Sequence, residues 1–154
     1  MPVTLPNTYQ NAPSRLADVT QTMLDLYNVV QQLNGVTGTG IGYVTGQGAG
    51  GAVSQLTDRT TAVTLNKLTG QITGQATSLA ASTSVSFTVN NSLVAATDTI
   101  LLNLAGGSTA STSIFTVSAV TNGTFVIRIA NLNTATADTL SPLINFTVIK
   151  GSNN

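Results

Sequence analysis

The sequence predicts a mainly β protein: an antiparallel β-sandwich of jelly-roll or immunoglobulin-like type, with one helix ahead of it. Three observations predict this. The stretch Ser84–Leu104 (SVSFTVNNSLVAATDTILLNL) reads as two ribbons. Val85, Phe87 and Val89 alternate with Ser84, Ser86, Thr88 and Asn90, and Ile100, Leu102 and Leu104 alternate with Leu101 and Asn103. Strand side chains point to opposite faces with a period of two, so each ribbon has one apolar and one polar face. Next, 27 Thr and 13 Ser supply the polarity that charge does not, and Thr suits a half-exposed pleated surface. Last, Ser14–Asn34 departs from this pattern, with apolar residues spaced seven apart.

Composition bounds function. At 154 residues the chain is long enough for one core plus extensions. It has no His, Cys or Glu. Its carboxylates are Asp18, Asp25, Asp58, Asp98 and Asp138, and its cations are Arg15, Arg59, Lys67, Arg128 and Lys150. Such balance lacks the clustered Lys/Arg of nucleic-acid binding and of polybasic membrane attachment, so neither partner is expected. Ser-His-Asp and Cys-His arrangements cannot be built, and zinc loses its two preferred ligand types. No cofactor or metal is expected. Glycosidase chemistry needs two facing carboxylates, for which Asp58 and Asp98 are the candidates, but lone aspartates near turns more often act as caps. The expectation is a protein that is not an enzyme.

The elements follow in order. Residues 1–13 (MPVTLPNTYQNAP) hold three prolines and no periodicity, so they read as an extended arm, either disordered or docked on a partner. The start lacks a basic stretch followed by an apolar run, so no export signal is expected. Residues 14–34 read as a helix capped by Ser14, with Asp18 in its first turn and a stop at Asn34-Gly35. Leu16, Met23 and Val30 take a positions, and Val19, Leu26 and Leu33 take d positions, of a coiled-coil seam. Apolar Tyr27 and Val29 at the flanking e and g positions widen the stripe, which favours three helices over two. The competing reading is a single amphipathic helix packed on its own domain.

Residues 35–56 contain a glycine-rich connector; Gly35–Gly51 alone holds eight of the fourteen glycines. It carries no phosphate-binding lysine motif. Residues 57–151 form the expected sandwich, and 152–154 a short tail. Thr61–Asn66 and Gln71–Thr73 read as short strands joined near Lys67–Gly70, and Asp58-Arg59 as a surface pair or turn. Thr112–Val120 alternates through Phe115, Val117 and Ala119, and Phe125, Ile127 and Ile129 continue beyond Asn122-Gly123, a type I′ hairpin signal. Asn131–Pro142 reads as a polar loop, and Leu143–Ile149 as the last strand. The N-x-[ST] triplets at Asn90, Asn122 and Asn145 are what chance supplies in a Thr-rich chain.

Three segments carry a resemblance: YVTGQGAGGAVSQLTDRTTAVTLNKLTGQI (Tyr43–Ile72), SFTVNNSLVAATDTILLNL and INFTVIKG. Across Tyr43–Gly151 the chain resembles small β-sandwich virion proteins of tailed bacteriophages, which decorate the head or form short fibres. The resemblance implies a homotrimeric capsid decoration protein, of cement or head-fibre type, whose partner is the major capsid protein or another virion protein. It implies residence in the virion, with the arm or helix fixing the protein to the shell. The other function considered is a tail-fibre or adhesin module binding host-surface glycan, with exposed Thr and Asn of the loop Asn131–Asp138 making the contacts. The absence of Trp, and three tyrosines that all precede the β-region, count against a lectin.

Overall fold

A computed structural model describes residues 16–34, 43, 48–107 and 113–152. The chain divides into two units, Met1–Val44 and Thr45–Asn154. In the first, α1 spans Leu16–Asn34 and ends where Asn34-Gly35 predicts a stop. Gln21 Nε2 donates to Asp25 Oδ1 at 2.9 Å, one turn apart on its surface. The arm 1–13 and the Ser14 cap lie outside the described residues, as does most of 35–47.

The second unit holds β1 (Ala52–Ser54), β2 (Val63–Thr64), β3 (Thr69–Thr73), β4 (Ser84–Asn90), β5 (Thr99–Gly106), β6 (Ser113–Thr121), β7 (Thr124–Asn131) and β8 (Leu143–Ile149). They form two four-stranded sheets, β1-β3-β8-β5 and β2-β4-β7-β6. Both sheets are mixed rather than purely antiparallel. β1 runs parallel to β3 and β2 parallel to β4, while the remaining pairs are antiparallel. β1 lies inside the stretch read as connector. Gly48 O and Gly51 O accept from Leu68 N and Gln71 N, and Ala49 is buried, so residues 48–54 belong to the β unit. The strands expected over Thr61–Asn66 and Gln71–Thr73 correspond to β2 and β3, which sit in opposite sheets rather than side by side. The two ribbons of Ser84–Leu104 are likewise divided, β4 in one sheet and β5 in the other.

One core lies between the sheets. Val63, Phe87, Val89, Phe125, Ile127 and Ile129 come from one, and Ile72, Ile100, Ile144, Phe146 and Val148 from the other. The Phe125 and Phe146 rings meet across the layers, centroids 5.4 Å apart and tilted by 55°. That is within the favourable range for aromatic pairs. The arrangement is sandwich-like.

Two details depart from simple alternation. Val117 faces Ile127 but Ala119 faces Val126, so Ser118 is an extra residue. This bulge reverses the phase, turning Val120 inward and leaving Ala119 exposed, contrary to the expected Phe115–Val117–Ala119 series. At the β6–β7 turn only Gly123 has positive φ (81°), so the turn is not type I′. Asn122 is held instead by the neighbouring loop: its Oδ1 accepts from Ala96 N at 2.9 Å. Gly123 N donates to Val94 O, and Gly123 O accepts from Asn91 N.

The sandwich closes unevenly. Core-facing residues of β7 and β8 are fully enclosed, whereas Leu102, Phe115, Val117 and Val120 of β5 and β6 are only partly buried. Leu104 is exposed at the rim. β5 and β6 are edge strands of eight and nine residues without one charged side chain.

Candidate functional site

The six residues expected to form a seam all fall on α1. Val19, Met23 and Leu26 are exposed, Met23 by 67% and Leu26 by 64%. Leu24, Tyr27 and Val29 are exposed beside them. Leu16, Val30 and Leu33 continue the seven-residue spacing on the same helix, and their side chains lie outside the described residues. Positions seven apart return to nearly the same face, about 10 Å along the axis. An apolar stripe runs along α1.

The β unit buries three of its charged side chains, Arg59, Asp98 and Asp138. Arg59 is buried (3% exposed), so of the two readings of Asp58-Arg59 the surface pair fails and the turn holds, closed by Thr61 N donating to Asp58 O. Its guanidinium donates from Nε to Thr77 O (2.5 Å) and from Nη2 to Asp138 O (3.1 Å) and Leu140 O (2.6 Å). Nη1 lies 3.5 Å from Asp138 Oδ2, whose side chain is fully enclosed. Ser113 Oγ donates to the same carboxylate oxygen at 2.7 Å, and Leu140 N to the other at 3.1 Å. This node ties three loops to the start of β6. No local pattern announces it, because Asp138 stands 79 residues beyond Arg59.

Asp58 turns outward and caps its own turn, accepting from Thr60 N, Thr60 Oγ1 and Thr61 Oγ1. Bonds from Thr60, then Thr61, hold its carboxyl below the ordinary carboxylate range. Asp98 lies elsewhere, accepting from Ala95 N (2.8 Å), Gly151 N (3.0 Å) and Lys150 Nζ (2.5 Å). Lys150 also reaches Leu93 O at 2.8 Å, so the end of β8 is strapped to the loop before β5. Asp58 and Asp98 therefore serve separate turns, Asp58 through Oδ1 and Asp98 through both oxygens. Among the described residues no group of three or more metal-ligating side chains gathers. No helix there is long and apolar enough to cross a membrane.

Burial pushes the Asp98 and Asp138 carboxyls up, but their donors outweigh it and both are held below the ordinary range. For Asp98 these donors are Ala95 N–H, Lys150 and Gly151 N–H. For Asp138 they are Ser113, Leu140 N–H and Arg59. A carboxylate whose folded pKa is depressed stabilises the fold above its unfolded pKa, and that contribution vanishes as pH falls through the folded value. Thermal melts should thus hold steady down to about pH 4 and then fall progressively below it. Asp98→Asn should make that acid limb shallower. An acid limb identical to wild type would show that Asp98 adds nothing.

No protein-family model, curated protein or solved structure matches this chain. Function is read from the residues themselves.

The loop Asn131–Asp138 is tied into the fold at both ends. Asn131 is buried and donates through Nδ2 to Leu79 O (3.0 Å) and Thr136 O (2.9 Å). Asp138 belongs to the Arg59 node. Between them, Leu132 and Thr134 to Thr136 remain exposed. Asn91 is equally enclosed, bonding Lys67 O and Leu93 N. No buried side-chain polar atom among the described residues lacks a partner.

Proposed function

We propose that this chain is a non-enzymatic structural protein of a tailed-phage virion. It acts as a trimeric capsid decoration protein of cement or head-fibre type, held to the shell by its arm and helix. The observation that carries this reading is the exposed apolar stripe of α1. Each large apolar side chain left in water forgoes about 1.5–3 kcal/mol of burial, so Val19, Met23 and Leu26 together favour self-association strongly. Apolar residues at e and g, here Tyr27 and Val29, are covered in a three-helix bundle more fully than in a pair.

One further feature supports assembly. The long edges β5 and β6 have no lysine, proline or inward charge to resist pairing, and only one bulge each interrupts them. The virion placement rests on the resemblance of Tyr43–Gly151 described above. The sandwich itself is of jelly-roll type in this reading. β3 pairs with β8 and β4 with β7, as in a long hairpin rolled up, and β5 and β6 add on the far sides of β8 and β7.

The test is native mass measurement on the full chain. Wild type should be a trimer, and Met23→Asp with Val30→Asp should give monomers whose β unit melts unchanged. A monomeric wild type, or a double variant that stays trimeric, overturns the seam. Micrographs of labelled virions then decide placement: label on the head supports decoration, and label on the tail refutes it.

A further inference from the structure

The β unit contains seven charged side chains, and the two ion pairs occupy four of them, Arg59–Asp138 and Asp98–Lys150. Asp58 is engaged through Oδ1 in its own turn. Lys67 and Arg128 remain, with no carboxylate in ion-pair range among the described residues. Arg128 is the one that is held in place. It sits on the outward face of β7 with Ser86 and Thr116 as its cross-strand neighbours. Its Nε and Nη2 both donate to Ser84 Oγ, at 3.2 and 3.0 Å. The residue as a whole is exposed.

This guanidinium borders a depression of about 270 Å³ lined by Ser82, Thr83, Ser84, Ala130, Asn131 and Leu132. Ser82 has φ 57°, the only non-glycine in the left-handed region among the described residues. Ser82 N is fixed there by a 2.9 Å bond to Asn133 O. Non-glycine residues held in this region carry strain and cluster at binding sites. Leu132 is exposed and gives the depression an apolar side.

We infer that this depression binds a single sugar ring bearing a carboxylate. Arg128 takes the carboxylate, the Ser82 and Ser84 hydroxyls bond the ring hydroxyls, and Leu132 covers a C–H face. The size suits one ring, lying just below the usual range of small-ligand pockets. A guanidinium matches a planar carboxylate by its donor fork. One cation balances a monoanion; a phosphate dianion would want a second, and no other cation lines the depression. The site stands whether or not the chain trimerises, and goes beyond the assembly role.

The experiment is titration of the full-length protein, followed by NMR, with galacturonic acid, N-acetylneuraminic acid and neutral galactose. One or both acids should give saturable shifts at the residues lining the depression, and galactose none. The acid that binds identifies the source as a uronate or a sialate. Arg128→Gln should weaken binding about tenfold or more. Arg128→Lys, which keeps the charge and loses the fork, should fall between. Both variants should melt like wild type, because Arg128 is exposed. Absence of saturable binding by either acid overturns the site, as do equal binding of galactose and an unchanged affinity in Arg128→Gln. Native mass of the same samples reports oligomeric state separately.

Discussion

Arg59→Ala is expected to destabilise the β unit by about 3–5 kcal/mol, the usual cost of leaving one member of a buried ion pair alone. Here the loss is compounded. The carbonyls of Thr77, Asp138 and Leu140 each lose a donor, and the Asp138 carboxylate keeps only Ser113 Oγ and Leu140 N. Urea unfolding followed by circular dichroism measures it. Asp138→Ala should cost a similar amount, and the double variant clearly less than the sum, since the two side chains share one network. A loss below about 1 kcal/mol for Arg59→Ala would mean that water replaces the guanidinium without penalty, as it does at exposed pairs.

Phe146→Ala should cost about 3–5 kcal/mol by opening a cavity at the contact between the layers. Phe146 is 2% exposed on β8, a central strand, and it loses its ring contact with Phe125. Gly70 lies directly opposite it in register. A β-carbon on Gly70 would stand 2.9 Å from Phe146 Cε1 and 2.6 Å from Leu65 Cδ2, so the ring occupies space that only glycine leaves open. Gly70→Ala should therefore destabilise the wild type and cost less in a Phe146→Leu background. Equal costs in the two backgrounds, measured by the same unfolding method, would place the strain at Leu65 instead.

What the sequence makes legible is the face each residue takes. Ser84–Asn90 and Leu143–Ile149 alternate without interruption, and β4 and β8 occupy those limits. Pairing partners are another matter. β2 and β3 are short and adjacent in the chain, yet they join opposite sheets because each finds its neighbours far along the sequence. Period two reports a face, never the strand next door. The Ser118 bulge defeats Ala119 for a related reason: one inserted residue exchanges inside for outside from there onward. β1 gives almost no apolar signal, since it is stabilised through backbone pairing with β3. The α1 stripe is legible as spacing, and its exposure required the structure. The Arg59 node was not legible at all, as burial of a charge depends on a partner that chain-local patterns do not reveal.

The burial of the Arg59–Asp138 pair and of the Asp98 carboxylate has one more consequence. Ionic strength acts mainly on charges that face solvent, and this β unit presents few, among faces of hydroxyls and amides. Sodium chloride has little to screen, whereas salting-out anions such as sulfate still strengthen contacts between uncharged surfaces. For such a surface, brackish water and dilute buffer are nearly the same solvent.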